Sequence, residues 1–184
     1  MEKIDFGKRS ARADFAFCWI FARDCTPYSG YDDQLGIDKV NLVLAQLRFD
    51  GCIGACGGMV ESDDKSLEEA VQREVLEEIG YTVDLTHLKP LLSLRLPSGS
   101  HCHSYSYEVD YNELQSIRDG AYRGMHFNPE CAGVNLLHIS RYTKGYGNEC
   151  GYNVLLEQHW SGTSKEEFMY LVETENLLIS YLKE

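Results

Sequence analysis

An α/β fold, with a mixed central sheet held between helical layers, is the architecture this sequence predicts, and three observations lead to it. Two apolar runs, Phe15-Ala16-Phe17-Cys18-Trp19-Ile20-Phe21-Ala22 and Val40-Asn41-Leu42-Val43-Leu44-Ala45-Gln46-Leu47-Arg48, read as buried strands. One strongly periodic helix separates them from a second pair of strand-like segments. A capping signature near the C-terminus opens another helix, placed to cover the opposite face of the sheet.

The elements follow in order. After Arg48, Gly51 and Gly54 break the chain into a glycine-rich turn. The central helix is well specified: Ser66 and Glu69 fit a capping box, Leu67, Val71, Val75 and Ile79 form an apolar stripe, and Gly80 is placed to end it. That stripe should dock on the core while the acidic side of the helix looks outward. Leu91–Leu96 and Ser104–Val109 read as strands joined through Pro97-Ser98-Gly99-Ser100 in a hairpin-like connection. Tyr111–Arg118 is a short helix, Gly133–Ile139 another strand, and Ser164-Lys165-Glu166-Glu167 starts a helix expected to reach about Leu182. The segment 24–39 is a long loop expected beside a pocket.

At 184 residues the chain is expected to form one domain, 1–184, around a single sizeable core. The longest apolar run, Phe15–Ala22, is too short to span a bilayer, so no membrane is expected as a partner. No secretory signal is recognisable, and seven scattered cysteines, an odd count, read as reduced thiols in a cytosolic or nuclear protein. A net charge of −12 argues against a broad nucleic-acid-binding surface. Local basic residues remain at Lys8, Arg9 and Arg12, where solvated surface is the ordinary explanation. Cys52, Cys56, His101, Cys102 and His103 carry soft ligands, but not at zinc-knuckle spacing; buried thiols and surface imidazoles are expected instead.

The chemistry is concentrated in 57–80. There Arg73-Glu74-Val75-Leu76-Glu77-Glu78-Ile79-Gly80 stacks Glu74, Glu77 and Glu78 at i, i+3 and i+4 on a helix. Neighbouring like charges repel, by about a few tenths of a kcal/mol per pair. A hard divalent cation reverses that sign, because it seeks oxygen ligands. A solvated acidic helix face is the competing explanation for glutamates alone. The full combination of Gly-Gly turn, capped helix, Arg-Glu, Glu-Glu and final glycine resembles the Nudix box. The resemblance implies a Nudix α/β/α sandwich that binds Mg²⁺ or Mn²⁺ and cleaves a nucleoside diphosphate linkage. Glu74, Glu77, Glu78 and Arg73 would then be catalytic, with Gly57, Glu74, Glu77 and Glu78 at the metal. Arg73 would fix a carboxylate rotamer, and Gly57 and Gly58 would let the backbone approach the ion. One departure is an extra residue in Glu61-Ser62-Asp63-Asp64-Lys65, which leaves Lys65 at a box Glu position.

Leu47-Arg48-Phe49-Asp50-Gly51, Gly54, Gly57-Gly58 and the lengthened loop go beyond the generic box, as do Leu155-Leu156-Glu157-Gln158-His159-Trp160-Ser161-Gly162. They resemble the Nudix-motif-sixteen group, the small nucleolar RNA-decapping enzymes. That likeness implies cap removal from RNA, hydrolysis of (deoxy)inosine diphosphate, or both, in nucleolus and nucleoplasm, with the cytoplasm left open. Capped RNA or a purine nucleotide would be the substrate, and a homodimer is compatible with the reading. Substrate-binding positions carry over to Arg48, Phe17, Ala55 and Glu167. Phe17, Ala55 and Glu167 stand where the family has a histidine, an aromatic and an amide. A further family carboxylate falls on Tyr170, with Glu166 or Glu167 as substitutes; Glu157 is either an auxiliary base or, the more ordinary explanation, a helix-surface glutamate. Two other readings stay open: a pyrophosphatase for ADP-ribose or a dinucleotide, and a non-catalytic RNA-binding relative.

Overall fold

The computed structural model describes residues 1–26, 36–144 and 148–182, so most of the loop expected at 24–39 lies outside the described residues. In chain order the elements begin with β1 (Glu2–Lys3), β2 (Asp14–Cys25), β3 (Val40–Arg48), β4 (Ile53–Gly54), β5 (Cys56–Met59) and α1 (Leu67–Ile79). They continue with β6 (Lys89–Arg95), β7 (His101–Glu108), α2 (Tyr111–Gly120), β8 (Cys131–His138), β9 (Ser140–Lys144) and β10 (Asn148–Gly151). Helices α3 (Tyr152–Leu156) and α4 (Ser164–Thr174) and strand β11 (Ile179–Ser180) complete them.

Strand β2 is the axis of the molecule. Ala16, Cys18, Ile20 and Ala22 face a core built with Val71, Val75 and Ile79 of α1 and Leu114 and Ile117 of α2. Trp19 and Phe21 face a second core with Phe168, Leu171 and Val172 of α4. A strand covered on both faces has no polar side, which is why its sequence is a continuous apolar run. Helices therefore lie on both faces of one mixed sheet, as expected.

The topology explains where a cleft can form. On one side β2 runs parallel to β7, which continues antiparallel to β6. On the other side its pairing divides: Phe15–Cys18 pair with β5, while Phe21, Ala22 and Cys25 pair with β3. Strand β3 goes on to β4 and β8. The sheet thus forks at β2, and the chain connecting the two prongs is the glycine-rich turn before the helix.

Two local expectations need correction. The C-terminal helix ends at Thr174, well short of Leu182. Arg23 accounts for the stop: its guanidinium donates to the Glu175 carbonyl at 2.6 Å and to the Glu175 carboxylate at 2.8 Å. Asn176 then turns left-handed, with φ 51°. The freed chain supplies β11 to a three-stranded sheet ordered β10-β9-β11, which was not expected. The capping box at Ser164 also does not form, because the Glu167 side chain turns inward and accepts from Thr163 and Trp19.

Candidate active site

Helix α1 forms as its caps dictate. Ser66 Oγ accepts from Glu69 N–H at 3.1 Å, and Gly80 closes the helix in the left-handed region at φ 66°. The reciprocal bond lands one residue early, with Glu69 accepting from Lys65 N–H at 3.0 Å. The apolar stripe is buried as expected, but the acidic residues do not simply look outward. Glu74 is 8% exposed and Glu78 2%. Each lies three residues after a buried valine, Val71 or Val75, and so flanks the docked face rather than opposing it.

Those carboxylates lie under the glycine turn. Gly57 has φ 144°, and a Cβ there would fall 2.2 Å from the Ala16 carbonyl oxygen. A Cβ on Gly58 would fall 2.6 Å from the Glu74 carboxylate. Glu78 accepts from Gly57 N–H at 2.8 Å and from the Gln46 amide at 2.5 Å. Burial pushes the Glu78 carboxyl up to about 8, against those two hydrogen bonds, and the nearby Glu74 and Glu130 charges add to the rise. Burial likewise raises Glu74, with Arg73 opposing.

Arg73 does more than pair with one box carboxylate. It donates to Glu74 at 2.9 Å and Glu77 at 3.2 Å, and its other nitrogens grip both Asp64 oxygens at 3.1 and 2.9 Å. The lengthened loop thus contributes Asp64 as an anchor for Arg73, while Lys65 is exposed. This fork-to-carboxylate geometry locks the guanidinium and the box rotamers together.

Two adjoining cavities complete the site. The acidic one, about 810 Å³ including its mouth, is lined by Gly57, Gly58, Arg73 and five glutamates, Glu61, Glu74, Glu77, Glu78 and Glu130. The second, about 540 Å³ on the same measure, is more apolar, with Phe15, Phe17, Ala55 and Leu96 as walls and Arg48 and Thr163 among its polar groups. They share Phe15, Phe17, Arg48 and Ser161. A lining rich in carboxylate oxygens, with like charges crowded at Glu74 and Glu78, fits a hard divalent cation. Glu61, Glu74, Glu77, Glu78 and Glu130 are the carboxylates that line this cavity.

Of the residues expected at the substrate, Arg48, Phe17 and Ala55 line the apolar cavity. Glu167 does not reach it. Its carboxyl is buried and accepts from Trp19 and from Thr163, and Thr163 itself lines the cavity. Tyr170 and Glu166 line a separate groove, and Glu157 is exposed; none of these lines the acidic cavity. Sequence reasoning missed Glu130 and His126. His126 Nδ1 lies 3.8 Å from Glu77. Gly124 brings them in: a Cβ there would meet the Glu78 backbone at 2.4 Å, so only glycine lets this loop ride against the end of α1.

Comparison with known proteins agrees with this geometry. The Nudt16-like family, described as U8 snoRNA-decapping enzyme-like, matches residues 22–178. The U8 snoRNA-decapping enzyme of Bos taurus is 29% identical, with 74% of this chain and 70% of that protein covered. Its Xenopus laevis counterpart is 30% identical, with 79% of this chain and 69% of that protein covered. The Nudix domain of Shewanella oneidensis NrtR, solved with ADP ribose, shares the fold with a TM-score of 0.57 at 16% identity, covering 94% of each chain. The chain belongs to the Nudt16-like family of Nudix hydrolases.

Proposed function

We propose that the two cavities are one active site that hydrolyses the diphosphate bridge of a capped RNA, with purine nucleoside diphosphates as smaller substrates of the same site. The observation that carries this reading is their juxtaposition: a carboxylate-lined chamber meets an aromatic-walled one at Arg48. A diphosphate cannot enter the acidic chamber without compensating cations, whereas a base gains from the apolar walls and can stack on Phe17. The decapping relatives support RNA as the substrate class.

Mg²⁺ or Mn²⁺ bound by Glu74, Glu77 and Glu78 would neutralise the diphosphate and lower the pKa of an attacking water. The protein's own parts then have distinct tasks. Arg73 holds Glu74 and Glu77 in place, and Gln46 and Gly57 orient Glu78. Glu77, a quarter exposed and free of the deep burial of its neighbours, can accept a proton from water. Arg48 grips a phosphate or base edge where the chambers meet. We also propose residence in the nucleus, with the cytoplasm the alternative, which imaging of the tagged protein checks.

The test is a substrate panel with Mg²⁺ and with Mn²⁺, followed by product identification. Capped RNA should yield 5′-monophosphate RNA and inosine diphosphate should yield the monophosphate. AMP from ADP-ribose or a dinucleotide, with capped RNA untouched, would replace this reading by a dinucleotide pyrophosphatase. No metal-dependent turnover on any member would leave a binding protein.

A further inference from the structure

Away from the acidic cleft, the fold brings three metal-ligating side chains together at the start of its parallel strand pair. Asp14 opens β2 and His101 opens β7, and the register pairs them directly. His103, two residues on, shares that face of the sheet. One ligand atom from each of the three lies within 4.8 Å of the others, and all three residues are buried. The expectation of surface imidazoles is therefore wrong. Cys102 faces the other way, into the apolar cavity, and takes no part.

We propose that Asp14, His101 and His103 form a second metal site, selective for a zinc-like divalent cation rather than for Mg²⁺. Two imidazoles and one carboxylate are the donors such an ion prefers, while Mg²⁺ seeks oxygen alone. The spacing is already suitable. Two ligands at about 2.0–2.1 Å from a tetrahedral ion sit about 3.3 Å apart. His103 Nε2 and Asp14 Oδ1 are 3.2 Å apart.

The surroundings orient each ligand. His101 Nδ1 lies 2.7 Å from the Lys8 carbonyl, which accepts only a proton-bearing nitrogen, so Nε2 keeps its lone pair for an ion. That Nε2 is not a buried orphan, since Ser140 Oγ alone holds that position among the described residues, so it opens to solvent where an ion could enter. His103 Nδ1 lies 2.8 Å from Ser93 Oγ, and a hydroxyl can accept from Nδ1–H once Nε2 turns to metal. Arg9 and the Ser10 N–H hold the Asp14 carboxylate at 2.7 and 2.9 Å. Partners of this kind, a carbonyl, a hydroxyl and donors to the carboxylate, are what fix the ligands of protein metal sites.

The Ser93-His103-Asp14 alignment also invites comparison with a hydrolytic triad. Ser93 is 1% exposed and His103 fully buried, so no substrate reaches the hydroxyl. The role is structural. Segment 4–10 folds over this spot, with Ile4 N–H bonded to the Ser93 carbonyl and Phe6 set edge-on to Tyr105 at 5.1 Å. An ion there would fasten that arm to the sheet.

The experiment titrates the full chain with Zn²⁺ in excess Mg²⁺, then measures retained zinc and records the spectrum of the Co²⁺-substituted protein. Wild type should retain one equivalent with a nitrogen/oxygen Co²⁺ spectrum, and zinc should raise the thermal midpoint. His101→Ala, at the rim, should weaken binding by at least about a hundredfold, as should Asp14→Asn if it folds. Glu78→Gln should retain the equivalent. Zinc binding unchanged in His101→Ala, a cobalt–thiolate charge-transfer band, or no retained zinc in wild type would each overturn the proposal.

Discussion

Arg48 stands where the two chambers meet, its side chain one-third exposed and its Nε 3.2 Å from the Asp50 carboxylate. A surface ion pair of that kind contributes about 0–1 kcal/mol, so removing it should barely move the thermal midpoint. Arg48→Ala should nevertheless lower kcat/KM for capped RNA by about ten- to a hundredfold, equivalent to roughly 1.4–2.7 kcal/mol of transition-state binding. Arg48→Lys should recover only part of it, since a point charge lacks the planar fork. Unchanged kinetics in the alanine variant would return Arg48 to the surface. Glu167 makes a separate prediction. Burial pushes its carboxyl up to about 7, partly offset by Thr163 and Trp19, with Glu166 adding to the rise. A carboxyl raised in the fold above its unfolded value of about 4.3 stabilises fully below that value and loses the contribution as pH climbs through 7. Glu167→Gln keeps an acceptor oxygen for the Trp19 N–H, lets its amide N–H donate to the Thr163 hydroxyl, removes the buried charge, and should raise the thermal midpoint at pH 8 but not at pH 4. An equal shift at both pH values would show that the charge is not the cause.

Helix α1 and the glycine turn act as one element, because Gly57 and Gly58 pack directly on its carboxylates and on β2. Gly57→Ala must displace backbone at the Ala16 carbonyl, and should destabilise by about 3 kcal/mol or more, read by denaturant unfolding. Gly58→Ala meets the Glu74 carboxylate rather than backbone, and that side chain, although held by Arg73, can shift, so it should cost less stability than Gly57→Ala yet weaken metal-dependent turnover. Equal stability losses in the two variants would contradict the packing described. This element was the most legible part of the chain. Its cap, stripe, acidic spacing and terminal glycine are all local, and local signals survive in sequence. The burial of Glu74 and Glu78 was less visible, since periodicity places them beside the stripe without saying what lies above. Glu130 and His126 had no signal beyond one glycine, because their position depends on a loop packing against a distant helix end. The C-terminal helix was overextended for the same reason: Arg23, on the face of β2 that α4 packs against, ends it from a distant part of the sequence.

At the scale of the molecule, the forked sheet sets an acidic chamber beside an aromatic one, and the proposed function depends on both serving one substrate. Without metal, the raised Glu78 carboxyl favours the fold most below about pH 4.3, and that contribution should fade as pH rises through about 8, with the raised Glu74 acting in the same direction. Bound Mg²⁺ should release protons and flatten the decline in thermal midpoint. A profile identical with and without Mg²⁺ would mean the ion is held elsewhere. The most direct measurement compares wild type with Glu78→Gln in single-turnover hydrolysis of capped RNA under limiting Mn²⁺, with 5′-monophosphate RNA as the product scored. The amide exchanges a charged metal ligand for a neutral isostere in an unchanged fold. The rate should fall by at least about a hundredfold, some 2.7 kcal/mol in the transition state, while the thermal midpoint of the metal-free protein at pH 8 holds or rises. A variant that keeps more than about a tenth of the wild-type rate, a loss of less than about 1.4 kcal/mol, would contradict the central claim that the buried box carboxylates hold the catalytic metal.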